Sequence, residues 1–190
     1  MDDIIERYSS VWGDDPRSLL RNYQYHPELT KKLDAMTVED FNQELLFEIV
    51  LWKLNRYPYI QSEIFGELKE IGKVGPKEHR KAEPVLRKLL MSPGIRLPMA
   101  STILRFLNPA AFQIIDDRAY RVLHPLKPLY PAKPANGQRL EKYLANSTRV
   151  YFDYLDALHE VVSENLPFEL ADRILYQLDI ELGNKIGSKG

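Results

Sequence analysis

The chain has 190 residues, of which 44% are hydrophobic and 28% are charged, a mixture typical of a folded globular protein. It contains no cysteine, which excludes disulfides, thiolate catalysis, cysteine-ligated zinc and iron–sulfur clusters. Lysine and arginine number 26 against 27 acidic residues, so the formal net charge of −1 excludes a chain that is basic throughout.

Apolar residues recur at intervals of three and four through most of the chain, which is the spacing of one helix face. This pattern predicts an all-α fold. The first predicted helix begins after Thr37, its expected N-cap, and ends before Pro58. Further helices are predicted over residues 62–71, 77–91, 97–107, 116–123, 137–145, 148–165 and 167–181. We expect residues 1–182 to form a single helical unit with two lobes, and residues 183–190 to form a flexible tail.

No apolar run approaches the ~20 residues that a membrane-spanning helix needs. The first residues, MDDIIERYSS, are too polar for a signal peptide. We therefore expect a soluble cytoplasmic protein without a membrane partner. The four histidines lack the spacing of paired ligands, so neither a metal nor another cofactor is predicted.

Residues 125–136 form a proline-rich connector between predicted helices. Pro125, Pro128, Pro131 and Pro134 recur every third residue, which is the polyproline II period. We expect a stiff connector between the lobes. The alternative is a ridge from Pro125 to Pro134 that binds an aromatic groove on a protein partner.

Charge is distributed unevenly along the chain. Residues 69–151 carry sixteen basic and six acidic side chains, a net charge of +10, whereas residues 1–50 carry −6 and residues 152–182 carry −7. A basic block between acidic segments is typical of a protein that binds a polyanion. The alternative is that folding mixes the segments and averages the surface charge.

The most informative segment is residues 89–123. The sequence Ser92-Pro93-Gly94-Ile95-Arg96 is predicted to turn the chain between two helices, which gives a helix–hairpin–helix over about 85–107. The free amides and positive dipole end of the second helix form a natural phosphate site. Lys88 and Arg96 would add positive charge there.

Residues 93–100 have the sequence Pro-Gly-Ile-Arg-Leu-Pro-Met-Ala, and an apolar strip leads to Ile-Ile-Asp-Asp-Arg-Ala-Tyr-Arg-Val-Leu at 114–123. These motifs resemble the helix–hairpin–helix superfamily of DNA glycosylases, the enzymes of base-excision repair. That family has a hairpin of the form Pro-Gly-Val-Gly-x-x-x-Ala, followed by an Asp-x-[His/Asn/Arg]-x-x-Arg-Val motif. Sixteen residues separate Ala100 from Asp116, as in the adenine-specific branch. The resemblance covers about 35 residues.

The resemblance implies that Asp116, at the start of a helix over about 116–124, is the catalytic carboxylate. It would stabilise the oxocarbenium character of the sugar and orient or deprotonate the attacking water. Asp117 is the alternative, because a one-residue shift would exchange the two; a purely structural alternative is that Asp116 only caps its helix. The implied partner is double-stranded DNA with a nucleotide rotated out of the stack. The residues expected to contact DNA are Lys88, Ser92, Gly94, Arg96, Leu97, Met99, Arg118 and Arg121.

Two hairpin positions depart from the family pattern. Arg96 occupies the place of the second glycine, where a left-handed backbone would be strained. Pro98 occupies the place of the nucleophilic lysine of lyase-competent members, so this position offers no amine for a Schiff base. Lys53 is a further candidate nucleophile or base if it is half-buried; the alternative is a side-chain stem along the core with its ammonium in water.

Three functions remain open from the sequence. The first is a monofunctional DNA glycosylase that hydrolyses the N-glycosidic bond of a damaged or mispaired base. The second is a catalytically inactive DNA-binding member of the same fold, and the third is a helical protein-interaction module. Asp116 favours the first over the second, Arg96 and Pro98 favour the second over the first, and the basic block disfavours the third.

Overall fold

A computed structural model describes residues 9–13, 15–23, 25–54, 58–125 and 139–185. Every regular element within these residues is helical apart from one isolated bridge between Ser163 and Leu166, so the predicted all-α class is confirmed. The α-helices are α1 (Ser9–Trp12), α2 (Pro27–Asp34), α3 (Gln43–Lys53), α4 (Ser62–Glu70), α5 (Glu83–Met91), α6 (Leu97–Leu107), α7 (Asp117–Leu123), α8 (Leu140–Val161) and α9 (Phe168–Glu181). Short 3-10 helices cover Pro16–Asn22, Val38–Asp40, Ile71–Lys73 and His79–Ala82. None of the helices in the described ranges is both long and apolar enough to cross a membrane.

The chain divides between Tyr57 and Pro58 into two compact units. We predicted one unit over residues 1–182 with two lobes, and the structure places the division just before α4. The predicted proline-rich connector lies outside the described residues except for Pro125.

In the first unit, polar contacts join α2 and the residues just before it to α3. The indole Nε1 of Trp52 donates to Thr30 Oγ1 at 2.8 Å, and the Tyr25 hydroxyl donates to the backbone oxygen of Trp52 at 2.8 Å. The rings of Tyr25 and Trp52 meet edge to face with their centroids 5.0 Å apart. Trp52 is therefore a packing residue of this unit.

The start of α3 differs from the prediction. Asn42 is the N-cap of α3, because its side chain accepts a hydrogen bond from the Leu45 amide at 2.9 Å. Thr37 instead forms a capping box with Asp40 around the preceding 3-10 helix. Thr37 therefore caps the short 3-10 helix Val38–Asp40 and not α3, which we predicted it to cap.

The core of the second unit is one continuous cluster of buried side chains from α4 to α9. Its largest fully buried side chains include Tyr151, Phe152, Tyr154 and Phe112. Helix α8 supplies three of these and spans 22 residues. It merges the two helices predicted over 137–145 and 148–165, because the polar residues at 147 and 148 face this core rather than interrupting the helix.

Asp179 fastens α9 against α7. Its carboxylate is fully buried, and it accepts hydrogen bonds from Arg121 Nε at 2.9 Å, Arg121 Nη2 at 2.6 Å and Arg118 Nη1 at 2.9 Å. The hydrogen bonds from Arg121 hold the pKa of Asp179 below its ordinary value, and those from Asn184 and Arg118 add to this effect. A buried carboxylate with several charge-assisted donors remains ionised.

Residues 183–185, the start of the predicted tail at 183–190, contact this cluster. Gly183 ends α9 with a φ of +76°, a left-handed conformation that favours glycine. Asn184 Nδ2 donates to Asp179 Oδ1 at 2.9 Å, and the Asn184 backbone oxygen accepts from Arg118 Nη1 at 3.0 Å. Residues 186–190 lie outside the described residues.

We expect Asp179→Asn to lower the free energy of unfolding by about 3 kcal/mol at neutral pH, because two guanidinium groups lose the carboxylate they share inside the protein. The folded pKa of Asp179 lies below the ordinary 3.8, so its contribution is complete above pH 3.8 and is lost as the pH falls through the folded pKa. Urea unfolding over a series of pH values measures both effects.

The matched control is Asp153→Asn, which removes the charge of a side chain that is 46% exposed and pairs with Arg149 on the surface of α8. We expect a change of at most about 0.5 kcal/mol from this variant. Equal losses in the two variants, or a gap that persists at the lowest pH, would contradict the assignment of Asp179.

Candidate functional site

A buried strip without regular structure, residues 108–116, joins α6 to α7 and ends at Asp116. Phe112, Gln113 and Ile115 within it are completely buried. Buried backbone amides and carbonyls need hydrogen-bond partners, which in a sheet come from the next strand. The described residues contain no strand. The amides of Ala111 and Phe112 bond to the Asn108 backbone oxygen within the strip, and side chains of other elements supply partners for backbone groups of residues 113–115.

Helices α8 and α9 bind the middle of the strip. The Tyr151 hydroxyl donates to the Gln113 backbone oxygen at 3.0 Å, and the Tyr154 hydroxyl donates to the Ile114 backbone oxygen at 2.9 Å. From α9, Asp172 Oδ2 accepts a hydrogen bond from the Ile114 amide at 3.1 Å. The backbone amide and the backbone oxygen of Ile114 are thereby both hydrogen-bonded to side chains from neighbouring helices.

Both ends of the strip are also hydrogen-bonded to other elements. Ser101 Oγ in α6 accepts from the Ile115 amide at 3.2 Å. At the other end, Asn108 Nδ2 donates to the backbone oxygens of Ile71 at 2.9 Å and Val74 at 2.8 Å. The position of Asp116, directly after the strip, is therefore set by contacts with several helices.

Asp116 both caps α7 and lines a cavity. Its backbone is extended, and its Oδ1 accepts hydrogen bonds from the amides of Arg118 at 2.9 Å and Ala119 at 2.8 Å. The capping role is thus present. The same residue lines an open cavity of about 320 Å³, together with Ile114, Asp172, Arg173, Tyr176 and Gln177.

Burial raises the pKa of the Asp116 carboxyl above its ordinary value. The amides of Ala119 and Arg118 oppose this rise, and the negative charges of Asp117 and Asp172 reinforce it. A carboxyl group with a raised pKa at the edge of an open cavity is suited to accept a proton or to stabilise a cation. Asp117 is the first residue of α7 and is not among the residues that line this cavity.

Arg118 and Arg121, which we expect from the sequence to contact DNA, form ion pairs inside the second unit. Both guanidinium groups bind Asp179. The Arg118 side chain is only 13% exposed, and its guanidinium lies 5.5 Å from the centroid of the Tyr176 ring. Most of their hydrogen-bonding capacity therefore faces inward rather than toward an external phosphate.

The predicted turn at 92–96 forms between α5 and α6, which contact each other. The Ile95 amide donates to the Ser92 backbone oxygen at 3.2 Å, and Gly94 has a φ of +81°. This is the third position of a type II turn, where glycine avoids strain and the preceding proline is favoured. Arg96 has an extended backbone with a φ of −118°, so it takes the place of the family's second glycine without the strain that we expected.

The residues of the turn and of the first turn of α6 differ in accessibility. Gly94, Arg96 and Met99 are exposed, whereas Ser92 and Leu97 are buried. The Ser92 hydroxyl is bonded to a backbone oxygen of α5. Arg96 forms no ion pair with another residue in the described ranges. Of the residues in this region that we predict to contact DNA, Gly94, Arg96 and Met99 are therefore accessible through their side chains or backbone.

The N-terminus of α6 offers few free donors. Pro98 has no amide hydrogen, and the Leu97 amide is hydrogen-bonded to the Tyr143 hydroxyl. Burial raises the pKa of the Tyr143 hydroxyl, and the nearby Leu97 amide and Arg96 guanidinium oppose that rise. A neutral hydroxyl therefore lies beside the first amide of α6.

Many basic side chains of the block at 69–151 form ion pairs, some with acidic residues of the block itself and others with the acidic segment at 152–182. Lys88, predicted to contact DNA, pairs with Glu67, and Arg87 Nη2 lies 2.6 Å from Glu141 Oε2. Folding therefore mixes the charged segments, which was the alternative to a continuous basic surface. The other ion pairs of the block are Lys73–Glu70, Arg80–Asp156, Lys81–Glu78, Arg105–Asp172, Arg118–Asp179, Arg121–Asp179 and Arg149–Asp153.

Lys53 and the histidines contribute no assembled site. Lys53 is the exposed last residue of α3 rather than a half-buried lysine. His79 is buried, and burial lowers its pKa; its ring stacks on that of His159 with the centroids 6.0 Å apart. Among the residues the structure describes, no group of three or more histidine or acidic side chains is arranged to hold a metal ion.

Asp172 is a cavity residue that the sequence analysis missed. It is 3% exposed and lies on the interior face of α9, between the buried residues Ala171 and Leu175. An acidic residue within the apolar stripe of the predicted last helix was the available signal. Its hydrogen-bond partner is the amide of Ile114, in the strip that ends at Asp116, and this amide lies 58 residues earlier in the chain.

Comparison with known proteins identified no counterpart of this chain. No family model matches it, and searches of curated proteins and of solved structures found no match either.

We expect Asp116→Ala to lower the free energy of unfolding by about 1 kcal/mol, because alanine cannot cap α7. Asp116→Asn keeps a capping side chain and removes the partly buried charge. Because the folded pKa of Asp116 is raised, the stability from this group is complete below pH 3.8 and is lost as the pH rises through the folded pKa. The stability of Asp116→Asn relative to the wild type should therefore increase over that interval, as measured by urea unfolding.

Asp15→Asn provides a comparison with the opposite sign. Asp15 is an exposed N-cap whose pKa is lowered by hydrogen bonds from Arg17, so its contribution is present above pH 3.8 and is lost in acid. The asparagine variant should therefore lose stability relative to the wild type as the pH rises. The same trend at positions 15 and 116 would contradict the assignment of Asp116.

Proposed function

We propose that this protein is a DNA-glycosylase-like hydrolase of base-excision repair without lyase activity. It would bind duplex DNA through the turn at 92–96 and hydrolyse the N-glycosidic bond of a damaged or mispaired base. The observation that carries this proposal is that the Asp116 carboxylate, at the family's spacing from the turn, opens onto a cavity instead of being enclosed.

The geometry of Asp116 supports a role beside the sugar. Its Oδ1 is occupied by two backbone amides, which keep the carboxylate in one orientation. The positive charge that develops on the sugar as the base departs would be stabilised by this carboxylate, and the water that attacks the sugar would be oriented or deprotonated by it. A rigidly held group of this kind needs little reorganisation during the reaction.

The cavity supports binding of one small planar group. Its volume of about 320 Å³ falls at the lower end of the range for ligand pockets. Tyr176 contributes an aromatic surface that is 39% exposed, and Gln177 contributes an amide. A base rotated out of the duplex needs such a combination of a flat apolar surface and polar groups.

The residues available near Asp116 favour hydrolysis over a lyase reaction. Pro98 occupies the position of the family's lysine, and no lysine is among the described residues that line the cavity. A Schiff base with the sugar requires an amine within reach. Borohydride treatment during the reaction should therefore trap no covalent protein–DNA adduct.

We expect the affinity for duplex DNA to fall linearly with the logarithm of salt concentration, because phosphate contacts release counterions. Arg96→Gln should weaken binding similarly for all sequences and reduce the salt slope by about 1. Fluorescence anisotropy with a labelled duplex measures both quantities.

Lys73→Gln is the matched control for Arg96, since it removes a basic side chain that is already paired with Glu70. It should change the slope much less than Arg96→Gln. Affinity that does not depend on salt would exclude both the glycosylase and the inactive DNA-binding alternative.

We expect the protein to release a base from at least one member of a panel of duplexes that each carry a single damaged or mispaired base. Abasic sites are detected by alkaline strand cleavage. Asp116→Asn should slow the release at least about 100-fold, because it removes the charge that acts in the transition state.

Each other result identifies a different alternative. A larger loss with Asp117→Asn than with Asp116→Asn would exchange the roles of the two carboxylates. Salt-dependent binding without release of any base would favour the catalytically inactive DNA-binding protein, which the few free amides at the N-terminus of α6 leave open.

A further inference from the structure

Resting on the proposed function, we propose that Asp172 is a positioning residue for Asp116: it holds the strip that carries Asp116 and places a second negative charge at the same cavity. The sequence motifs do not include Asp172, and it comes to this site from α9, the last helix.

The first part of the role is mechanical. Asp172 Oδ2 accepts a hydrogen bond from the Ile114 amide at 3.1 Å, two residues before Asp116. Its Oδ1 accepts from the amide of Arg173 at 2.6 Å, which restrains the carboxylate itself. A buried amide that lost its acceptor would be costly, so the strip would move to find another one. Asp172 thereby limits where Asp116 stands relative to the cavity.

The second part of the role is electrostatic. Asp172 is 3% exposed, and the nearest cation, Arg105, has its Nε 3.9 Å from Oδ2. Arg105 also donates from Nη2 to the Glu169 backbone oxygen at 3.0 Å, so the ion pair is loose. A neutral side chain would accept the Ile114 amide at a smaller desolvation cost. The hydrogen bond to the Ile114 amide alone therefore does not require a charged side chain at position 172.

The charged groups around Asp116 come from three helices. Asp117 belongs to its own helix α7, Asp172 and Arg173 come from α9, and Arg105 in α6 lies behind Asp172. The like charge of Asp172 adds to the effect of burial on the pKa of Asp116. Two carboxylates at one cavity also make the electrostatic potential there more negative, which favours a developing cation.

Asp172→Asn separates charge from hydrogen bonding, because asparagine still offers an oxygen to the Ile114 amide. We expect the titration midpoint of the Asp116 carboxyl carbon, followed by NMR in the protein alone, to move to a lower pH, because the like charge of Asp172 is removed. The acid limb of the kcat profile for base release should move in the same direction. We expect kcat to fall about tenfold and KM for the duplex to change less, because the substitution leaves the residues of the turn at 92–96 unaltered.

Asp172→Ala removes the hydrogen bond as well. Exchange of the Ile114 amide hydrogen with solvent should then accelerate, and kcat should fall further than in Asp172→Asn. Retained amide protection in the asparagine variant and lost protection in the alanine variant would separate positioning from charge. If the alanine variant does not fold, the asparagine titration remains decisive. Asp153→Asn, an exposed carboxylate on α8, is the control and should leave the Asp116 titration unchanged.

The outcomes distinguish this proposal from the proposed function. An Asp116 titration that is the same in Asp172→Asn as in the wild type overturns the electrostatic role, whether or not a base is released. Unchanged Ile114 exchange in a folded Asp172→Ala overturns the mechanical role. A shifted titration and faster exchange in a protein that releases no base would refute the glycosylase proposal while confirming that Asp172 controls Asp116.

Discussion

The backbone of the strip at 108–116 has to be hydrogen-bonded inside a core that is otherwise formed by apolar side chains, and this constraint organises the second unit. Two tyrosines of α8, a serine of α6 and Asp172 of α9 satisfy it. Each of these side chains ties a helix to the strip, so the strip fixes how the helices are arranged around it. Asp116 stands at the end of a segment that is hydrogen-bonded from several sides, so its position does not depend on any single contact.

Two aspartates seven residues apart on α9 have different tasks on the same helix. Asp179 is fully buried and fully paired with two arginines of α7, which keeps its pKa low. Asp172, two helical turns earlier, has only a loose cation partner and contacts the strip. Asp179 holds α9 against α7, and this places Asp172 at the cavity. The raised pKa of Asp116 depends on the same arrangement, because the burial and like charge that cause it come in part from α9.

Local chemistry explains which elements were predicted well. Helix α6 has the predicted bounds, Gly94 forms the turn after Pro93, and Asp116 stands as predicted before α7, because each depends on a few neighbouring residues. The predicted break within α8 was wrong, since buried polar residues at 147 and 148 do not interrupt a helix whose packing supports them. The start of α3 was wrong because two capping residues, Thr37 and Asn42, lie close together and each caps a different element.

The amino-acid sequence by itself determined the all-α class, the turn at 92–96 and the candidacy of Asp116, because helix periodicity, proline–glycine turns and capping residues act over short distances in the chain. The tertiary structure alone decided which charges meet. Arg118 and Arg121 bind an aspartate about sixty residues later instead of Asp116, and the strip finds its acceptor on the last helix. Sequence spacing carries no information about such pairs, since they form only after the helices have packed and the burial of each charge is set.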